Sequence, residues 1–211
     1  MMALTELEQD ALTEIFNIGV GLAADALYQM TGEHVPLSVP VVELTSQHEA
    51  QQHFLAREQR PLCAIRQTYQ GAFDTEAVLM FPDEGRTHLV RMMVGDDFPQ
   101  DQLGEMEQDA MGELGNIILN AVISNLASSL SMRIEGTLPV VSLESADTVL
   151  RVQAQTLTGA PDEATQVLAL MIDFELGRQH VGGYLAFLLA PGSSQILLQH
   201  LARYVGGDNA C

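Results

Sequence analysis

Residues Glu6–Asn17 (ELEQDALTEIFN) lie over Glu105–Asn116 (EMEQDAMGELGN) without a gap. They share Glu, Glu, Gln, Asp, Ala, Glu and Asn at the same places, with Leu/Met and Ile/Leu exchanges between. The same offset carries Pro40 in SVPVVEL onto Pro139 in TLPVVSL. Further on, GAFDTEAVLMFP (Gly71–Pro82) resembles GGYLAFLLAP (Gly182–Pro191). Each is followed by an amphipathic segment ending in glycine and acid, VGDD at Val94–Asp97 and VGGDN at Val205–Asn209. A duplicated order of segments restricts the fold before any single element is assigned. It predicts one domain made of two related halves, about residues 1–98 and 99–211.

Each half reads as a long helix, a strand, a two-stranded hairpin and a short helix. Thr5–Met30 and Asp101–Met132 carry helical periodicity, with Thr5 as N-cap and Gly32 as stop in the first half. The β-branched and aromatic runs Val39–Leu44, Cys63–Gln70 and Ala72–Phe81 predict strands, as do Val140–Leu143, Val167–Leu176 and Val181–Leu189. Val149–Gln155 is expected to add a further strand, and Thr156–Thr165 to form a loop. Gly71 and the Gly177–His180 stretch turn the hairpins, while Pro82 and Pro191 close them and open short helices over Asp83–Val94 and Gly192–Val205. The fold class expected is α+β: two pseudo-symmetric helix-strand-hairpin-helix halves sharing an antiparallel sheet, with the long helices packed on it.

On a helical wheel of about 100° per residue, with Asp10 at the origin, Glu14 falls at about 40° and Asn17 at about 340°. The three share one face. Opposite them, Ala11, Leu12, Ile15, Phe16, Ile18, Leu22, Ala23, Ala26 and Leu27 are expected to form the buried stripe. The second helix repeats the plan with Asp109, Glu113 and Asn116 outward and Met111, Leu114, Ile117, Ile118, Ala121 and Val122 inward. A wet helix face normally carries acids and amides for solvation alone. Solvation leaves residue types free to drift between two copies, yet here the same three types stand at the same spacing, and Asn is unfavourable inside a helix. The triads are therefore candidate functional residues.

Composition removes several functions. The chain has 211 residues, 28 Asp+Glu against 9 Lys+Arg, no Lys, and a formal net charge of -19 at pH 7. Such an excess of acid repels phosphate backbones and anionic lipid, so nucleic acid and membrane are not expected partners. At 47% hydrophobic residues the chain can bury a core. The acidic N-terminus lacks the pattern of a secretory signal and no run is long enough for a membrane span, so a cytoplasmic location is expected. Cys63 and Cys211 sit in no CxxC pair and read as inert. His48 and His53 in HEAQQHF are five residues apart and miss HExxH, so they read as surface histidines, and no metal site of the chain's own is expected. GxGxxG and P-loop patterns are absent. The glycines of GVGLAAD after Asn17 suggest close packing of the helix on the sheet, or clearance at the site.

The pattern Asp10-x3-Glu14-x2-Asn17-x22-Pro40, repeated as Asp109-x3-Glu113-x2-Asn116-x22-Pro139, resembles the signature of the CheC/CheX/FliY family of chemotaxis phosphatases. Two copies on a chain of this span resemble the stand-alone CheC type more than a FliY-like switch protein. The resemblance implies hydrolysis of the phospho-aspartate of a CheY-type response regulator. Asn17 and Asn116 would then orient the attacking water, and Glu14 and Glu113 would engage a lysine of the regulator. Asp10 and Asp109 would border the docking surface, and Pro40 and Pro139 would fix the chain beneath each helix. It implies no cofactor of the chain's own, with magnesium in the phosphorylated partner's acidic pocket, and a CheD-type receptor deamidase as a further possible partner.

Two alternatives remain at this stage. One is a non-enzymatic binding module for a phosphorylated regulator or a CheD-type deamidase; the other is a metal-dependent hydrolase using the Asp/Glu pairs. The two halves also differ: Asn120 stands where the first has Gly21, and Ser142 where it has Glu43. Equal activity of the two sites is not implied.

Overall fold

The computed structural model describes residues 4–38, 42–95, 103–153, 165–176 and 179–207. In chain order these form α1 (Glu6–Thr31), β1 (Leu37–Ser38), β2 (Val42–Ser46), α2 (Gln47–Arg57), β3 (Leu62–Gly71), β4 (Thr75–Pro82) and α3 (Asp83–Val94). They continue with α4 (Leu103–Ser129), β5 (Ile134–Gly136), β6 (Val140–Glu144), β7 (Gln166–Leu176), β8 (Gln179–Leu189) and α5 (Ser193–Val205). The class is α+β, as expected. The start and stop of α1 are set by local chemistry. Thr5 accepts from the Glu8 backbone N–H while the Glu8 carboxylate accepts from the Thr5 N–H at 2.8 Å, and Gly32 caps the other end at φ 75°.

All strand pairs are antiparallel, in the order β1-β7-β8-β4-β3-β5, with β2 also on β7 and β6 also on β3. The hairpins β3–β4 and β7–β8 meet through β4 and β8, where Val78 lies opposite Ala186. Pairing is exchanged between the ends of the chain: β2, which follows α1, pairs with β7, and β6, which follows α4, pairs with β3. Each long helix consequently lies over the other end's hairpin. Phe16 of α1 stacks on Phe187 of β8 with ring centroids 5.7 Å apart, and Gly115 of α4 rests against Ile65 of β3. The two helices also pack on each other, where Gly19 approaches Val122 and the Asn125 amide donates to the Ile15 carbonyl at 2.7 Å.

The far face of the sheet is covered by α2 and the turn at residues 145–151. Phe54 of α2 meets Tyr184 edge-on at 4.9 Å, and the Gln47 and Gln51 amides donate to the Leu150 and Ala146 carbonyls. This layer explains why β3 and β4 are buried on both faces. Residues 47–57 carry little helical signal in the sequence, since Ala50 and Phe54 make only a thin apolar stripe. The overlooked signal is Ser46 with Glu49, a second capping box.

A strand over Val149–Gln155 is not formed within the described residues, where a turn ends at Val149 and Leu150. Side chains satisfy the backbone that a strand partner would otherwise serve. The Arg66 guanidinium donates to the Val149 and Arg151 carbonyls, and Glu76 accepts from the Gln153 N–H at 2.9 Å. Arg66 is itself buried between Glu144, at 2.8 Å, and Glu76, at 3.4 Å. Burial pushes the Glu144 carboxyl up, but hydrogen bonds from Arg66 and Ser142 outweigh it and leave its pKa lowered. The loop expected over Thr156–Thr165 falls outside the described residues except for Thr165.

Candidate functional site

On α1 the buried arc comprises Leu12, Ile15, Phe16, Gly19, Val20, Ala23 and Leu27. Ile18 and Leu22, expected in that stripe, are 47% and 50% exposed. They sit at the edge of the wheel, where neither the sheet nor α4 reaches. With Leu7, 61% exposed, they form an apolar rim beside the exposed carboxylates of Asp10 and Glu14 and the half-buried Asn17. The second helix repeats this: Asp109 and Glu113 are exposed, Asn116 is half-buried, and Met111, Leu114, Ile118 and Val122 are inside. Ile117 and Ala121 are half-buried at the same edge, where Met106, the counterpart of Leu7, is 38% exposed. Each triad is thus carried on one helix face with apolar surface alongside. Pro139 is half-buried between β5 and β6; Pro40 lies outside the described residues.

The glycines after Asn17 divide between the two expected roles. A Cβ on Gly19 would stand 3.0 Å from the Val122 backbone, so this glycine serves close packing, against α4 rather than the sheet. A Cβ on Gly21 would meet nothing within 4 Å, which leaves clearance beside Asn17. The second helix is built differently. Gly115 stands where the first has Phe16, and a Cβ there would come within 2.3 Å of Ile65 Cγ2, so α4 approaches the sheet more closely than a side chain at that position permits.

That approach brings Asn120 onto β3, a contact no spacing in the sequence discloses. Asn120 Nδ2 donates to Asn116 Oδ1 at 2.6 Å. Asn120 Oδ1 accepts from Tyr69 Oη at 3.2 Å and from Gln67 Nε2 at 3.3 Å, and Gln67 Nε2 also donates to the Thr137 carbonyl. The exchange of Glu43 for Ser142 lies elsewhere: Ser142 Oγ donates to Glu144 in the ion cluster of the far face, and Glu43 lies 3.9 Å from His53. His48 and His53 are exposed on α2. Among the described residues there is no group of three or more His, Cys, Asp or Glu suited to hold a metal, and no helix long and apolar enough to cross a membrane. Cys63 is buried and its thiol is pushed up to about 11 by desolvation; Cys211 lies outside the described residues.

An antiparallel sheet carrying two like Asp/Glu/Asn helix faces defines the class as α+β. The profile described as chemotaxis phosphatase CheX matches residues 63–158, and that of the CheC-like family matches residues 7–44. Both profiles are of the CheC/CheX/FliY family of chemotaxis phosphatases, to which the chain is similar in sequence. It is 27% identical over 173 residues to the CheY-P phosphatase CheC of Bacillus subtilis, covering 81% of this chain and 82% of that protein. It is 26% identical over 142 residues to the flagellar motor switch phosphatase FliY of the same organism, covering 66% of this chain and 36% of that longer protein. Its fold is similar to the crystal structure of Thermotoga maritima FliY, with a TM-score of 0.74 at 20% identity, over 96% of this chain and all of that one.

Proposed function

We propose that this protein is a phospho-aspartate phosphatase acting on a CheY-type response regulator, with one active site on α1 and a second on α4. The observation that carries this reading is the presentation of both triads: Glu14 and Asn17, and Glu113 and Asn116, share outward helix faces bordered by exposed apolar residues. A phosphoryl group held on another protein is reached by inserting such a face, whereas a small-molecule enzyme would enclose its substrate in a cleft.

Hydrolysis through a loose in-line transition state needs a water held behind phosphorus and charge neutralised around it. The water oxygen bonds to phosphorus, the bond from phosphorus to the aspartyl oxygen breaks, the aspartate leaves as carboxylate, and the water's protons pass to solvent and phosphate. A carboxamide accepts one hydrogen of that water without titrating, which is the role given to Asn17 and Asn116. Glu14 and Glu113, one turn back, would pair with a lysine of the regulator and draw it from the phosphoryl group. Asp10 and Asp109 would border the docked surface. Magnesium is expected in the regulator's own acidic pocket; the chain supplies no lysine to the phosphate.

Mixing the phosphorylated regulator with substoichiometric protein and following phosphate loss tests this directly. Multiple turnovers are expected, and Asn17→Ala combined with Asn116→Ala should abolish them while the fold is kept. Decay unchanged by the wild-type chain would refute the enzyme reading and leave a module that sequesters the regulator or holds a CheD-type deamidase. Full activity of the double variant would refute the role given to the two asparagines.

A further inference from the structure

The hydrogen-bond chain under α4 has a fixed polarity. A backbone carbonyl accepts and never donates, so the Thr137 oxygen forces Gln67 to present its Nε2 amide there, at 2.6 Å. Gln67 Oε1 then faces the Tyr69 hydroxyl, which donates to it at 2.8 Å. The second hydrogen of the same Gln67 amide points at Asn120, which must answer with Oδ1; the single Tyr69 proton is shared between Gln67 Oε1 and this oxygen, 3.2 Å away. Asn120 is left with Nδ2 toward Asn116, and Asn116 with Oδ1 toward Asn120, at 2.6 Å. One carbonyl on the sheet thereby dictates which end of the Asn116 carboxamide points inward.

The surroundings are shaped for this chain of contacts. Gln67 and Tyr69 are buried, and burial raises the Tyr69 phenol so that it stays a donor. Gly136 leaves them room: a Cβ there would stand 2.6 Å from the Tyr69 ring and 3.1 Å from Gln67 Nε2. Gly115 allows α4 close enough for Asn120 to reach. On α1 the place of Asn120 is taken by Gly21, which offers no side chain.

Resting on the phosphatase reading above, we infer that Asn120 is a positioning residue of the second site. Anchored by Gln67 and Tyr69, it fixes the rotamer and the polarity of the Asn116 carboxamide. One lone pair of Asn116 Oδ1 is taken by Asn120 and the other is left, in a fixed direction, for the attacking water. Orientation secured before substrate arrives lowers the ordering required in the transition state, so the effect falls on kcat rather than on regulator binding.

The test isolates the second site in an Asn17→Ala background and adds Asn120→Ala or Asn120→Asp. Alanine removes both hydrogen-bonding ends and favours the helix. Aspartate keeps the acceptor for Gln67 and Tyr69 but offers no donor to Asn116, so it holds the local packing while losing the polarity. Both should lower kcat by about tenfold, the scale of one hydrogen bond, with KM within about twofold. Both should also move the Asn116 side-chain NH2 resonances, identified by their loss in Asn116→Ala. An unchanged kcat in either variant would overturn the inference, as would a lower kcat with the Asn116 resonances unmoved. Turnover by the wild-type chain but none by Asn17→Ala would place activity on α1 alone and overturn it too. Absence of turnover by the wild-type chain would instead refute the phosphatase reading, and the inference with it.

Discussion

Replacing Gly115 by alanine probes the approach of α4 to the sheet. An ideal Cβ at this position stands 2.3 Å from Ile65 Cγ2 and 3.1 Å from both Ile65 Cβ and Cδ1. Comfortable carbon–carbon contact lies at about 3.5–4.0 Å, so the overlap exceeds roughly 1 Å. Ile65 is fully buried and β-branched, and its rotamer has little freedom to yield. The helix or the strand must move. Overpacking of this kind costs about 1–3 kcal/mol, and an overlap this deep belongs at the upper end, while Gly→Ala in a helix interior returns about 1 kcal/mol. The net expectation is a loss of about 2 kcal/mol, which for a chain of this size lowers Tm by about 4–8 °C. Gly21→Ala is the matched control. Its Cβ meets nothing within 4 Å, so only the propensity gain remains, and Tm should rise by about 2–4 °C. Thermal unfolding followed by circular dichroism reads both. Lifting α4 by as little as ~1 Å also stretches the 3.3 Å contact from Gln67 to Asn120 beyond hydrogen-bonding range, so Gly115→Ala should lose second-site turnover as well. A Gly115→Ala protein as stable as wild type, or one that tracks Gly21→Ala, would refute the close-approach reasoning.

The ion cluster of the far face gives two further expectations. Arg66→Met leaves Glu76 and Glu144 buried without their cation and should destabilise by about 3–5 kcal/mol in urea unfolding. The pKa of Glu144 is lowered in the folded chain, so its contribution is present above the ordinary carboxylate value near 4.5 and is lost as pH falls through the lower folded value. Stability measured from pH 6 down to pH 3 should drop across that window, and less steeply in Glu144→Gln. At the rim of the first site, Ile18→Ser combined with Leu22→Ser, made in an Asn116→Ala background, should change stability by less than about 1 kcal/mol because both residues are half exposed. Surface plasmon resonance with the phosphorylated regulator should show weakened binding; unchanged affinity would remove the rim from the docking surface.

Much of the fold was legible because its signals are local. The long helices, their caps at Thr5 and Gly32, and the two hairpins follow from spacings within a few residues. The far-face helix was not read, since two apolar residues make a faint stripe and its covering role depends on a sheet face that exists only after folding. Ile18 and Leu22 were misplaced for a related reason. A wheel separates polar from apolar residues but does not say how wide an arc the neighbours cover.

The amino-acid sequence by itself determined that two Asp/Glu/Asn triads are displayed on two like helices, because spacings of four and three residues put side chains on one helical face wherever the helix lies. It also determined that the halves differ at Gly21 and Asn120, without saying what the difference does. The tertiary structure decided that each long helix crosses the other end's hairpin, and that Gly115 lets α4 sink onto β3, whereas at the matching place of α1 Phe16 stacks on Phe187. From that close approach of α4 to the sheet comes the contact of Asn120 with Gln67 and Tyr69. Residues more than fifty positions apart meet there because a strand and a helix share a packing distance, and that distance is set by the volume of the side chains between them.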